Sequence, residues 1–193
     1  MSQIKALNTD EVLKLKAIVL YIVNQCKVID IFYILKILYF ADKQHYAEWG
    51  TRLTMDTFVA MDNGPVASNL YDALKHVRNP KHLAADNHLR LISEALFIPD
   101  EMYHNYLSAK EEPDMDELSK SDLLCLDHSI EENSETSFSV LSQKSHDIAW
   151  TEARAKHVNS PMNPITMAKA GGASQETLDF IQEQEELNRW LEN

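Results

Sequence analysis

Apolar residues crowd most densely between Ile34 and Phe40, where Ile34, Leu35, Ile37, Leu38, Tyr39 and Phe40 leave almost no polar side to the chain. A helix that is apolar all round is the buried centre of a domain rather than a surface element. It is predicted to stop at Gly50, the residue best suited to the left-handed position that ends a helix. Phe58-Val59-Ala60-Met61 then reads as a short strand. Asp62-Asn63-Gly64-Pro65 is predicted to turn the chain into a new helix, with Pro65 at its first position, where a missing N–H costs nothing. The stretch 34–74 is therefore the expected folding nucleus.

The flanking patterns are more ordinary. Asn8, with Glu11 three residues on, has the form of a capping box, and Val12, Leu15, Val19, Ile22, Val23 and Cys26 follow at helical spacing. Asp30 is placed to cap the buried helix over Ile31 to Trp49, so these two helices should form an antiparallel hairpin with a short connection. Val66, Leu70, Leu74 and Val77, with Tyr71 beside them, mark a third helix. It should end near Arg78, because Pro80 disfavours helical geometry at Asn79. Leu89, Leu91, Leu96 and Ile98 flank Ser93-Glu94 as a β-hairpin would, with a helix through 89–96 as the alternative. Joined to the strand at 57–61, that hairpin would give three strands. Leu123, Leu126 and Ile130 suit a helix capped by Ser119 or Ser121, and shorter helices are expected over 138–146, 147–157 and 165–170. The fold class that results is α+β and predominantly helical. An N-terminal helical hairpin and further helices pack around a small, about three-stranded, antiparallel β-sheet.

Past Gly171-Gly172 the character changes. Residues 174–193 carry Glu176, Asp179, Glu183, Glu185, Glu186 and Glu192 against one basic residue, Arg189. Phe180, Leu187, Trp190 and Leu191 give this segment an incomplete apolar seam. Two readings stand side by side: a terminal helix folded back onto the body, or an amphipathic helix presented to a partner through Trp190. The chain thus divides into a domain over 1–170 and an acidic helical extension over 171–193.

At 193 residues, 45% hydrophobic and 25% charged, the chain has ordinary globular usage and length enough for a real core. The net charge of −12, from 18 basic and 30 acidic residues, argues against direct nucleic-acid binding, which runs on clustered Lys and Arg. It favours association with a basic partner. Cys26 and Cys125 fall in apolar helical stretches, as free thiols of a reducing cytoplasm do. The first residues lack an apolar leader core, and no stretch is long and apolar enough for a membrane span. The expected location is the cytoplasm, with no membrane partner.

The search for chemistry finds no phosphate loop, dinucleotide fingerprint, nucleophile elbow or H-E-x-x-H pattern. His76, His82 and His88 recur every six residues, which puts no two on one helix face, so neither a metal site nor a cofactor is expected. His146 and Trp150 share a helix face and could stack or share a polar partner. A His buried beside a Trp is the structural reading of that pair; an enzyme using His146 with Asp127 or Asp147 is the chemical one. The Asp62-Asn63-Gly64-Pro65 turn offers free N–H groups to an anion, but without Lys or Arg nearby in sequence.

One ordered set of motifs goes further. I-L-K-I-L-Y-F-A-D-K at 34–43, Gly50, D-x-F-V-A-M-x-x-G-P-V from Asp56 to Val66, L-Y-D-A at 70–73, L-S-x-S-D at 118–122 and S-H-x-x-x-W at 145–150 together resemble the Panacea, or SocA-like, antitoxin domain. The resemblance runs over about residues 10 to 170 in the family's order and spacing. It implies an antitoxin of a bacterial or phage toxin–antitoxin system, serving phage defence. Such a protein neutralises a cognate toxin encoded by an adjacent gene through direct protein–protein binding, and is not an enzyme. It leaves room for a homo-oligomer and for a proteolytic adaptor that delivers the toxin to a protease. The positions in question are Asp62, Asn63, Gly64, Pro65, Val66, Tyr71, His146 and Trp150, which match the motif. Trp190 of the extension joins them as the candidate partner-specific contact.

Overall fold

In the computed structural model residues 4–191 are described, apart from the side chains of Glu101, Asn188, Arg189 and Leu191. Glu192 and Asn193 of the extension, and the part of Leu191 in its apolar seam, lie outside the described residues. Helix α1 spans Thr9–Cys26 and begins at the expected capping box: Glu11 N–H donates to Asn8 Oδ1 at 2.9 Å and Asn8 N–H to the Glu11 carboxylate at 2.8 Å. Strand β1, Ile29–Asp30, leads into α2, Ile31–Trp49. Asp30 caps α2 by accepting from Phe32 N–H at 2.7 Å, and Gly50 ends it at φ +66°. Both termini arise from local side-chain chemistry, which is why the pattern located them.

Helix α2 is the axis of the molecule, and it is buried on nearly every side. Three polar residues inside it survive burial because each has a partner. Lys36 donates to Pro65 O at 2.7 Å, Asp42 accepts from Arg52 Nε at 2.6 Å and from Thr54 N–H, and His45 bridges Thr51 O and Asp122. Buried polar groups without such partners would cost about 1–3 kcal/mol each.

The strand at Phe58–Met61 (β2) forms as expected, but the turn after it does not open a helix. Gly64–Ala67 is a second strand, β3, paired antiparallel with β2 in the register Met61↔Gly64 to Phe58↔Ala67. Helix α3 starts only at Ser68 and runs to Arg78. Pro65 is therefore a strand residue and not the first residue of a helix. It is tolerated because β3 is an edge strand: the other side of β2 is taken by Ala60 N–H to Ser160 O and Met162 N–H to Phe58 O. Helix α3 begins after Ala67, which has no capping side chain, and buried Asp56 does that work from outside. Its carboxylate accepts from Asn69 N–H at 3.0 Å, Leu70 N–H at 2.9 Å and the Asn69 side-chain amide at 2.8 Å.

The expected β-hairpin at 89–98 is likewise replaced, and the alternative reading holds over its first half. Arg90–Glu94 is a short helix, α4, and only Leu96–Phe97 (β4) is a strand. Leu89 and Ile92 are buried together while Leu91 faces out, which is helical rather than alternating spacing. The three-stranded antiparallel sheet exists with other members. Its order is β1–β5–β4, where β5 is Tyr106–Ala109, and the strand at 58–61 is not among them. Helix α5 (Lys120–Asn133) is capped by Ser119, and α6 (Phe138–Ser145), α7 (Ile148–Lys156), α8 (Pro164–Ala170) and α9 (Gln175–Leu191) complete the described residues. The α+β, predominantly helical class stands. Cys26 and Cys125 are free thiols.

Candidate partner-binding site

The β2–β3 hairpin projects from this frame, and residues of α2, α6 and α7 grip it from beneath. Trp150 Nε1 donates to Met61 O at 2.9 Å. Arg154 donates to Asp62 Oδ1 at 2.6 Å and to Ala60 O at 3.3 Å, while Ser142 Oγ donates to Asn63 O at 3.3 Å. His146 and Trp150 do not share a helix face, since His146 follows the end of α6 and Trp150 lies in α7, yet His146 lies flat on Trp150, ring centroids 3.8 Å apart and planes 12° from parallel. Burial, with the nearby Lys36 charge, lowers the His146 pKa, so the ring is a neutral stacking partner above its ordinary range. Its Nε2 is buried without a hydrogen-bond partner among the described residues.

Gly64 makes this close packing possible. At φ +103° it adopts a backbone conformation that side chains disfavour. A Cβ there would press into the Ser145 hydroxyl and lie 3.0 Å from Lys36 Cε. Lys36 in turn holds the Pro65 carbonyl, and burial pushes its ammonium down to about 7.

Beside the hairpin opens a groove of about 680 Å³. Five aromatic rings line it, Phe32 and Tyr33 from the start of α2, Tyr71 from α3, Tyr106 from β5 and Phe138 from α6, interleaved with polar residues such as Asp30, Lys36, Arg78 and Asn105. Phe32 and Phe138 pack with centroids 4.3 Å apart, and Phe138 and Tyr106 are exposed. Asp62, Asn63 and Arg78 are among the polar residues that line the groove. Tyr and Phe presented at one opening, with polar groups around them, are the composition of a protein-contact surface.

The positions singled out from the sequence divide into three groups. Asp62 and Asn63 are exposed at the tip, and Tyr71 forms part of the groove wall. Gly64, Pro65 and Val66 are buried, and His146 with Trp150 supports the hairpin from below. Trp190 stands apart: α9 packs on α8 and α2, and Trp190 is 75% exposed. Neither carboxylate proposed beside His146 bonds to it. Asp127 accepts from Tyr21 OH at 2.6 Å, and Asp147 accepts from Tyr39 OH, Lys43 and the first N–H groups of α7. The three histidines at six-residue spacing also go separate ways, His76 to Leu83 N–H, His82 to Asp72 and His88 to Thr9.

Sequence reasoning passed over Lys36, Phe32, Tyr33, Tyr106 and Phe138. For Lys36 a signal existed, because a lone lysine in an otherwise apolar helix needs an internal acceptor. The aromatics gave none, since they converge from separate elements.

A family model described as "Antitoxin SocA-like, Panacea domain" matches residues 34–151. This lies within the 10–170 span over which the motifs were recognised, and it contains α2 from Ile34 onward, the hairpin, and His146 and Trp150 among its supports, while Phe32, Tyr33 and Arg154 fall outside it. No curated protein and no solved structure matches the chain.

Proposed function

The chain belongs to the SocA-like Panacea antitoxin family, and from that premise we propose that it neutralises a cognate protein toxin, the product of an adjacent gene, by direct binding in the cytoplasm. The observation that carries this reading is the aromatic groove built beside the hairpin that the family motif encodes. The motif residues act on this groove through the fold. Gly64, Lys36, His146 and Trp150 fix the hairpin, and the hairpin sets one wall of the groove. A rigid, pre-formed aromatic surface binds with little ordering penalty. The net charge of −12 adds steering towards a basic toxin. Proton transfer by His146 has no support from its surroundings, since Asp127 and Asp147 are engaged elsewhere.

The test is co-expression with the adjacent gene product. Growth should be rescued and the two proteins should purify as one complex. Phe138→Ala, which removes an exposed ring from the groove, should weaken that complex roughly thirtyfold, the scale of an interface hot spot. Absence of both rescue and complex would refute the proposal.

A further inference from the structure

Helix α9 presents two apolar faces. Leu178 and Ile181 are buried with Tyr46 and Ala168, which seats the first half of the helix on α2 and α8. The ring of Phe180 closes over Gly50, where an added Cβ would lie 2.7 Å from its Cδ1. The opposite face is different. At 3.6 residues per turn, Glu176, Phe180, Glu183, Leu187 and Trp190 fall on one side, within about a quarter of the helix circumference. Phe180 and Leu187 are close to half exposed on that side, and Trp190 is far more so. A helix seated on one face ordinarily keeps the other polar. Three large apolar side chains at spacings of seven and three are instead the anchors of an amphipathic helix entering a groove.

Charge decides what that groove belongs to. Residues 175–191 carry Glu176, Asp179, Glu183, Glu185 and Glu186 against Arg189 alone. A second copy of the chain would set this row against itself, and an anionic bilayer surface would repel it. A protein groove with an apolar floor and Lys or Arg at its edges satisfies both halves of the pattern. We propose that the outer face of α9 docks through Leu187 and Trp190, with the exposed edge of the Phe180 ring that covers Gly50 at its margin, into such a groove on the toxin, a contact additional to the aromatic groove at the hairpin. This rests on the antitoxin reading. Because α9 lies past the residues matched by the family, this contact is the one that selects the particular toxin.

The experiment uses the full chain with the adjacent gene product. Leu187→Ser with Trp190→Ser alters only outward side chains. Affinity should fall roughly thirtyfold or more, while circular dichroism and melting temperature stay as in the unaltered chain. Glu183→Lys with Glu186→Lys should slow association roughly tenfold at low salt and less at high salt. Unchanged affinity in the first variant overturns the inference. So does a change in the chain's own oligomeric state by light scattering, since the occupant would then be a second copy. Should the first variant lose helix, the charge-reversed pair decides alone, and an unchanged association rate overturns the inference. If the unaltered chain binds no toxin, the antitoxin reading fails and this inference with it. If the unaltered chain binds but neither variant matters, the inference fails alone.

Discussion

Replacing Gly64 by Ala tests the hairpin most directly, because one methyl group there meets two separate obstacles. The first is backbone strain. At φ +103° a residue with a Cβ is in a sparsely populated conformation, worth about 1–3 kcal/mol. The second is overlap with the Ser145 hydroxyl and with Lys36 Cε at 3.0 Å. Neither neighbour yields easily. Ser145 is buried and donates to Ser142 O at 2.7 Å, and Lys36 is buried and held by Pro65 O at 2.7 Å. Overpacking of that kind adds about 1–3 kcal/mol. The sum, about 4 kcal/mol, is a large part of the roughly 5–15 kcal/mol that stabilises a domain. For a chain of this length it lowers the melting temperature by about 10 °C. Urea unfolding followed by tryptophan fluorescence reads it as a lower midpoint at unchanged slope. Ser145→Ala in the same background removes the overlapping oxygen and should return at least about 1 kcal/mol, as a coupling energy in a double-mutant cycle. A loss below about 1 kcal/mol for Gly64→Ala, or no recovery with Ser145→Ala, would refute the argument that the hairpin is held by this close approach.

Buried charges give two further expected outcomes. Asp56→Ala should destabilise by about 3 kcal/mol, since two N–H groups of α3 and the Asn69 amide lose their common acceptor; thermal melting checks this, and a loss under about 1 kcal/mol would mean that water replaces the carboxylate. His45 donates from Nδ1 to Thr51 O at 2.7 Å and from Nε2 towards Asp122 Oδ1 at 3.2 Å, so both acceptors favour the protonated ring. Burial acts to lower its pKa, but the Asp122 and Thr51 bonds outweigh this and raise it above 6.5. Burial likewise acts to raise Asp122, but His45, Lys14 and the Ser119 N–H hold it well below 3.8. The His45 contribution is therefore full below about pH 6.5 and fades as pH rises through the raised folded value; that of Asp122 is full above about 3.8 and fades on acidification. Lys36, lowered to about 7 by burial, adds stability in the opposite direction above neutrality, so the readout is a difference. The melting-temperature gap between the unaltered chain and His45→Gln should be widest between about pH 4 and 6.5 and narrow as pH rises further through the raised folded value; a gap that stays constant from about pH 4 to 9 would show that the ring is neutral throughout.

Features written within a few residues of one another were legible in the sequence. The capping box of Asn8 and Glu11, the cap at Asp30, the left-handed stop at Gly50 and the cap at Ser119 depend only on bonds across one helical turn. The apolar run from Ile34 to Phe40 marked the central helix for the same local reason. The motif order identified the family, although it did not say what each motif residue does. Where strand and helix patterns are short, local spacing was ambiguous, and it gave a hairpin at 89–98 and a helix at Pro65 that the packing does not bear.

What only the tertiary structure decided was every partnership across the chain. Asp56 caps a helix that its own segment does not belong to, and Lys36 finds its acceptor at Pro65, on a strand facing the helix. Phe32, Tyr71, Tyr106 and Phe138 meet in one groove, though nothing in their spacing joins them. The incomplete seam of the C-terminal segment likewise resolved into two faces once α2 and α8 had claimed Leu178 and Ile181. Residue type and spacing determine the local hydrogen bonds and the burial preference of each segment, whereas the identity of a distant partner is set by which surfaces close packing brings together.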